Sequence, residues 1–255
     1  MKSSLLHSIN TVIVFCLFSA CSSTPKLKKV ETSMLELNSK TVSSDDSSFI
    51  KTVLPYKLKM DSIMNEVLGV SDQALIKGSP EGTLGDFSAD AVLAKTNEYY
   101  QPKDRISADI CLLNNGGLRN ALPKGKITLG NVFELIPFEN AIVVLTISGE
   151  KMKILFDGLI ENNGAPFSGA TVKAKGKKVT ELKIGGKDFD VSKTYKVVTS
   201  DYLAAGGDKY NFFSSPIKVD TLNYKLRDAI IDYIKDETKK GKTIKVELDE
   251  RIKYE

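Results

Sequence analysis

Imidazole is almost missing from this sequence. His7 is the one histidine in 255 residues, and it lies in an N-terminal stretch that reads as a cleaved leader, so none is expected in the mature chain. That excludes a metal centre built on imidazole. Carboxylates alone can hold Mg²⁺ or Ca²⁺, but the mixed nitrogen and oxygen ligand set of a two-metal centre cannot be assembled. Cysteine is nearly as scarce. Cys16 lies in the leader and Cys21 at its end, which leaves Cys111 as one internal thiol. A disulfide or a thiolate metal site needs more, and Cys111, in an apolar strand, reads as a small hydrophobe. The apolar run from Thr11 to Phe18 is too short to cross a bilayer as a helix. A strong charge of one sign is lacking too. The net charge is +4 and the lysines are spread along the chain. The short runs Lys26–Lys29 and Lys239–Lys242 are not interleaved with aromatics, which excludes the clustered basic face that nucleic acid needs.

What is present at the N-terminus fits export. Residues 1–21 carry Lys2 and then the short apolar run, as a secretory leader does. Leu17-Phe-Ser-Ala-Cys21 resembles a bacterial lipobox, in which the cysteine becomes the lipidated N-terminus. Residues 22–48 are polar and rich in Ser, Thr and Lys, and read as a flexible tether. The folded domain is expected over 49–255. The chain is thus expected to be exported and lipid-anchored to a bacterial membrane, on its periplasmic or cell-surface side.

Within the domain, apolar spacing predicts a helix from Tyr56 to Leu68 and an extended run from Val67 to Leu75. Thr83 reads as the N-cap of a helix whose buried stripe is Phe87, Ala91, Leu93 and Ala94. A strand is expected at 108–113, a helix over Thr128–Leu135 capped by Thr128, a strand over Ala141–Ile147 and a helix over Gly149–Ile160. A hairpin follows at 170–185 around Lys175-Gly-Lys177, then a strand at 195–200, a last long helix over Asn223–Tyr233 and a closing strand over Thr243–Ile252. Helices and strands interleave without strict βαβ alternation. This predicts an α+β fold, a mixed β-sheet with helices packed on it.

The chemistry concentrates at two Gly-Gly turns. The apolar stretch Ile110–Leu113 runs into Asn114-Asn-Gly116-Gly117-Leu-Arg119. Glycines there permit positive φ and let a ligand approach the backbone. Arg119 sits just past the turn, where a guanidinium can grip phosphate or carboxylate with two bonds. Pro137-Phe138-Glu-Asn140 follows downstream. Tyr195–Tyr210 is a second buried strand running into a Gly-Gly turn, with Tyr202 before the glycines and Asp208 directly after them. Taken singly, each has a structural reading: Phe138 could close a helix, Tyr202 could be a core ring with its hydroxyl outward, and Asp208 is a common turn residue.

Together NNGGLR, PFEN and YLAAGGD resemble the C-terminal domain of the 5'-nucleotidase and UDP-sugar hydrolase family, in order and spacing, over roughly residues 50–255. The resemblance implies that Phe138 and Tyr202 sandwich a nucleobase and that Asp208 holds the ribose. It implies that Asn114 and Arg119 contact nucleoside and phosphate, with Gly116, Gly117, Asn140 and Gly164 lining the same pocket. It implies no catalytic and no metal-binding residue in this chain. In the family the divalent metals sit in a larger metallophosphoesterase domain, whose ligand set this sequence cannot supply, so that domain is expected on a separate subunit.

Two further patterns read as decoys. Ser148-Gly-Glu-Lys151 matches the first motif of serine acyl-transfer enzymes, but no Lys-Thr-Gly follows, and Ser148 sits where a strand hands over to a helix. Asp188-Phe-Asp190-Val-Ser192 resembles an aspartyl-phosphate motif, but it follows a turn rather than a buried parallel strand. The chain also departs from the family. A further arginine usually stands shortly before the Leu-Gly-Asp helix start, where this sequence has Gly78 beside Lys77. Lysine lacks the bidentate fork, so a nucleoside or nucleoside monophosphate fits better than a nucleotide sugar. Two functions remain: the substrate-binding part of a 5'-nucleotidase-type hydrolase working with a metallophosphoesterase subunit, or a lipoprotein that binds nucleosides or nucleotides without hydrolysing them.

Overall fold

The computed structural model describes residues 27, 29–36, 47–102 and 104–255. The expected leader 1–21, Cys21 as its expected lipidation position and most of the expected tether 22–48 lie outside the described residues. The chain divides after Thr52, and Val53–Glu255 forms one compact unit that carries the strands.

Helix α1 spans Ser47–Met64 with Pro55 inside it, rather than Tyr56–Leu68. Its first turns carry Phe49, Ile50, Val53 and Leu54 ahead of Pro55, all of them exposed, so the helix starts before the stretch in which the apolar spacing is read. At its far end Leu68 is drawn into a sheet instead, in strand β1 (Val67–Ser71). Among the described residues the strands form three sheets. β1 pairs antiparallel with β3 (Gly125–Thr128). A five-stranded mixed sheet has the order β10 (Lys218–Lys225), β4 (Ala141–Ser148), β9 (Thr194–Ser200), β2 (Ile110–Leu112), β5 (Phe167–Ser168). The third sheet joins β11 (Ile252–Tyr254), β6 (Ala170–Lys175), β7 (Lys178–Ile184) and β8 (Lys187–Asp188).

The five-stranded sheet is buried on both faces, which is why β4 reads as a nearly continuous apolar run. Side chains alternate across it. Ile142 and Val144 of β4 and Cys111 of β2 join one core with α2 (Thr83–Tyr99) and α6 (Leu226–Lys239). Val143, Leu145 and Ile147 join another with α4 (Gly149–Glu161), β6 and β7. Cys111 is buried and outside any disulfide, and burial pushes its thiol well above the usual range.

Three further expectations need correction. Thr83 is the first helical residue of α2, with Gly82 in the cap position. The Thr83 hydroxyl instead accepts from the Ile76 amide at 3.1 Å. Asn223–Lys225 belongs to β10, so α6 begins at Leu226; β10 is an edge strand whose half-exposed side chains blur the apolar alternation. The closing strand shrinks to Ile252–Tyr254, because Glu250 adopts a left-handed φ of 56°, which interrupts extended backbone.

Candidate functional site

Strand register brings the sequence motifs to one edge of the five-stranded sheet. β2 and β9 run parallel, with Ile110 opposite Val197 and Cys111 opposite Val198, so both deliver their C-terminal ends to that edge. Tyr202 follows β9 directly, in the short helix α5 (Asp201–Ala204). β4 runs antiparallel to β9 with Ile142 opposite Ser200, so its start, preceded by Phe138 and Asn140, arrives there too. β10 ends there as well, with Lys225 opposite Ala141. Ligands of α/β sheets bind at such carboxyl ends. A cavity of about 400 Å³ opens here, lined by Asn114, Gly116, Gly117, Arg119, Phe138, Asn140, Tyr202 and Asp208. Buried Leu113, Leu118, Ile136 and Leu226 form an apolar floor, with Ser200 beside them.

The polar groups are tied to one another. The Tyr202 hydroxyl donates to Asp208 Oδ1 at 2.8 Å, and the Asn114 amide donates to Asp208 Oδ2 at 2.5 Å. The outward-pointing hydroxyl read from the sequence is therefore corrected: it turns back onto the carboxylate, and this hydrogen bond raises the tyrosine's pKa. Two features of the turn make this possible. Asp208 takes a left-handed φ of 51°, which Asp tolerates better than most residues. A Cβ on Gly207 would lie 2.5 Å from the Tyr202 ring, so glycine is required where the ring folds over the backbone.

Phe138 and Tyr202 are each about half exposed, at 45% and 48%, with their rings on the cavity. The loop carrying Phe138 is clamped through Glu139, which pairs with Lys225 and with the buried Arg227. Hydrogen bonds from Lys225 and Arg227 pull the Glu139 carboxyl down to about 2. Arg227 also lies 4.0 Å over the Phe133 ring. Asn140 donates to Asp201 Oδ1 at 2.8 Å, the same oxygen that accepts the Tyr202 amide. Arg119 donates to the Gly116 carbonyl at 3.3 Å and has no carboxylate partner among the described residues, which leaves its charge facing the cavity.

Gly164 lies elsewhere. It borders an adjoining cavity of about 260 Å³ that shares Asp208 as a wall and is lined by Tyr210 and Phe212. Its φ is +89°, and a Cβ there would lie 2.0 Å from the Pro80 carbonyl, so close backbone packing explains this glycine. Of the apolar floor, Leu113 ends the apolar stretch before the turn and Leu118 lies inside NNGGLR, whereas Ile136 and Leu226 carried no sequence signal of a site. The decoys resolve as local structure. Ser148 caps α4 by accepting the Lys151 amide. Asp190 Oδ1 accepts from the amide and hydroxyl of Ser192 in a turn.

Among its lining residues the main cavity offers one carboxylate, Asp208, with no imidazole and no thiol. That donor set does not fit a two-metal hydrolytic centre. It fits recognition: two ring faces, a carboxylate matched to a diol, amide groups, and a cation at the rim.

Residues 67–215 match the family described as 5'-nucleotidase, C-terminal domain. The chain is similar to the trifunctional nucleotide phosphoesterase protein YfkN of Bacillus subtilis (strain 168), 32% identical over 219 residues, which is 78% of this chain and 14% of that protein. It is also similar to protein UshA of Escherichia coli (strain K12), 32% identical over 112 residues, 42% of this chain and 20% of that protein. The crystal structure of a 5'-nucleotidase precursor from Thermus thermophilus superposes on 82% of this chain and 43% of its own, with a TM-score of 0.66 and 25% identity. A putative 5'-nucleotidase from Staphylococcus aureus shares the fold, with a TM-score of 0.61 at 18% identity over 82% of this chain and 45% of its own. The chain spans less than half the length of each of these relatives. The chain belongs to the 5'-nucleotidase C-terminal domain family.

Proposed function

We propose that this chain is the nucleotide-recognising part of a 5'-nucleotidase-type hydrolase, binding a nucleoside or nucleoside monophosphate in the cavity at the sheet edge. The base stacks between Phe138 and Tyr202, the ribose diol meets Asp208, and Arg119 takes the phosphate. Divalent metals and the attacking water belong to a metallophosphoesterase on a separate subunit, and a lipid at Cys21 holds the chain on the periplasmic or cell-surface side of a bacterial membrane. The observation that carries this reading is the convergence of four strand ends. They set two half-exposed rings, a carboxylate and an arginine without a carboxylate partner around one cavity, in a chain of this family.

Calorimetric titration of adenosine, deoxyadenosine and AMP tests it. Stacking on an aromatic ring is sequence-tolerant and substantial, so Tyr202→Ala should weaken adenosine by about one to two orders of magnitude. Asp208→Ala should hurt adenosine more than deoxyadenosine, because only the ribonucleoside offers the paired diol. Arg119→Ala should cost AMP more than adenosine, since its role is charge pairing. If Tyr202→Ala binds adenosine as tightly as wild type, the ring is structural and the proposed pocket is wrong.

A further inference from the structure

Helix α6 starts against local chemistry. Lys225 stands at its cap position with no side-chain cap bond, where Ser, Thr, Asp or Asn is favoured. Arg227 follows in the first turn, where the helix dipole disfavours a cation. Arg227 is also buried, at 4% exposure, and its Nε has no hydrogen-bond partner. Measured against apolar residues of similar size, a buried ion pair contributes little to stability, so stability does not account for a guanidinium here. Breaches of local rules of this kind gather where a fold serves a site.

What these residues grip is the loop that carries Phe138. Arg227 Nη1 donates to the Ile136 carbonyl at 3.3 Å, and Nη2 donates to the Glu139 carboxylate, so one guanidinium holds the loop on both sides of Phe138. Its own place is set by Phe133, over whose ring it lies at 4.0 Å. Lys225 donates to the other Glu139 oxygen, and the Leu226 amide donates to the Asn140 carbonyl at 3.0 Å. The grip is reciprocal. Glu139 brings a carboxylate to the helix start, and Asn140 takes one of its unpaired amides. The Asn140 side chain then reaches Asp201 Oδ1, which also accepts the Tyr202 amide, so the same loop is tied to the backbone of the second ring. Phe138 itself has no such anchor. It is half exposed, and no ring pair among the described residues includes it.

We propose that Arg227 is a positioning residue for base recognition: with Glu139 as its counter-charge, it presents the Phe138 ring to the base in the cavity at the sheet edge. This role deepens the pocket reading above and rests on it. A ring already held in its bound position spares the cost of ordering it when the ligand arrives. The effect belongs to stacking, because neither Arg227 nor Glu139 lines the cavity, and neither is bonded to Arg119, whose side chain donates to Gly116.

The test is a double-mutant cycle on the whole purified chain, read by calorimetric titration with adenosine and AMP. Arg227→Lys keeps the charge and loses the fork. It should weaken adenosine by about threefold to tenfold, the scale of ordering one side chain on binding. Glu139→Gln, at an exposed position, should do the same. In the Phe138→Ala background either substitution should cost less than about twofold more, because the ring through which it acts is gone. The ratio of AMP to adenosine affinity should stay as in wild type throughout. A purely structural role predicts the same loss in both backgrounds. That outcome overturns the proposal, as does wild-type adenosine affinity in the folded variants. If Arg227→Lys does not fold, Glu139→Gln decides alone. Phe138→Ala by itself separates the two readings: wild-type affinity there removes the pocket and the positioning role with it, whereas a loss there without coupling to Arg227 or Glu139 overturns the positioning role alone.

Discussion

Each Asp208 carboxylate oxygen accepts one hydrogen bond before any ligand arrives, Oδ1 from the Tyr202 hydroxyl and Oδ2 from the Asn114 amide. A carboxylate has about four lone-pair sites, so both oxygens can still take a diol, now from a fixed orientation. Tyr202 therefore has two jobs in the proposed pocket, a stacking face and a hydroxyl that aims Asp208. Tyr202→Phe separates them. It should leave deoxyadenosine binding nearly unchanged and weaken adenosine by about threefold to tenfold, the scale of one net hydrogen bond. Equal effects on both nucleosides in a calorimetric titration would show that the hydroxyl does not act through Asp208. The ring and the carboxylate were legible in the sequence as residues flanking a Gly-Gly turn. Their mutual hydrogen bond was not, because it depends on the left-handed φ of Asp208 and the close approach over Gly207, which the turn sets rather than the spacing. The Glu139 clamp was hidden for a related reason: its partners Lys225 and Arg227 sit at the junction of β10 and α6, far away in sequence.

Elements whose boundaries rest on local chemistry were readable. Thr128 caps α3 (Leu129–Leu135) through a reciprocal pair with Asn131, and Ser148 caps α4, both at the positions that the side chains announce. Elements defined by tertiary pairing were not. Among the described residues β10 pairs only with β4, and its partly solvated faces weaken the period-two pattern on which a strand reading depends. Among the described residues the segment after α6 makes one isolated β-bridge, Ile244 with Ser71, and is otherwise held by side-chain contacts such as those of Arg251 with Asp90 and the Phe167 carbonyl before the short β11. The Ser148 cap also disposes of the acyl-transfer decoy in a measurable way. Losing a Ser cap costs about 1 kcal/mol, so Ser148→Ala should lower the urea midpoint by a corresponding amount while adenosine affinity stays as in wild type. A serine that took part in chemistry or binding would show the reverse pattern.

At the scale of the whole molecule, the mixed sheet with helices on it followed from the alternation of elements and from three motifs in register, whereas its division into separate sheets did not. Register between β2, β4 and β9 is a three-dimensional fact that periodicity cannot carry, yet it makes one cavity out of three motifs. The organisation beyond the cavity bears on two predictions. If the lipobox-like Leu17–Cys21 works as such, radiolabelled palmitate should enter the wild-type chain and not Cys21→Ala; equal labelling would end that reading. Two or more acyl chains hold a protein stably where one does not, so a lipid there would keep the domain at a membrane surface. The remaining prediction concerns hydrolysis. Phosphoryl transfer of the two-metal type needs ligands that fix two cations and a water, and the cavity at the sheet edge supplies a single carboxylate that already accepts bonds from Tyr202 and Asn114. The purified chain should therefore release no phosphate from AMP, with or without Mn²⁺ or Zn²⁺. Mixed with a metallophosphoesterase subunit lacking a nucleotide-recognising domain of its own, it should yield activity that neither shows alone, and that activity should fall with Tyr202→Ala in step with adenosine affinity. Metal-dependent phosphate release that co-purifies with this chain alone would overturn the division of labour, because the catalytic ligands would then have to lie within these 255 residues.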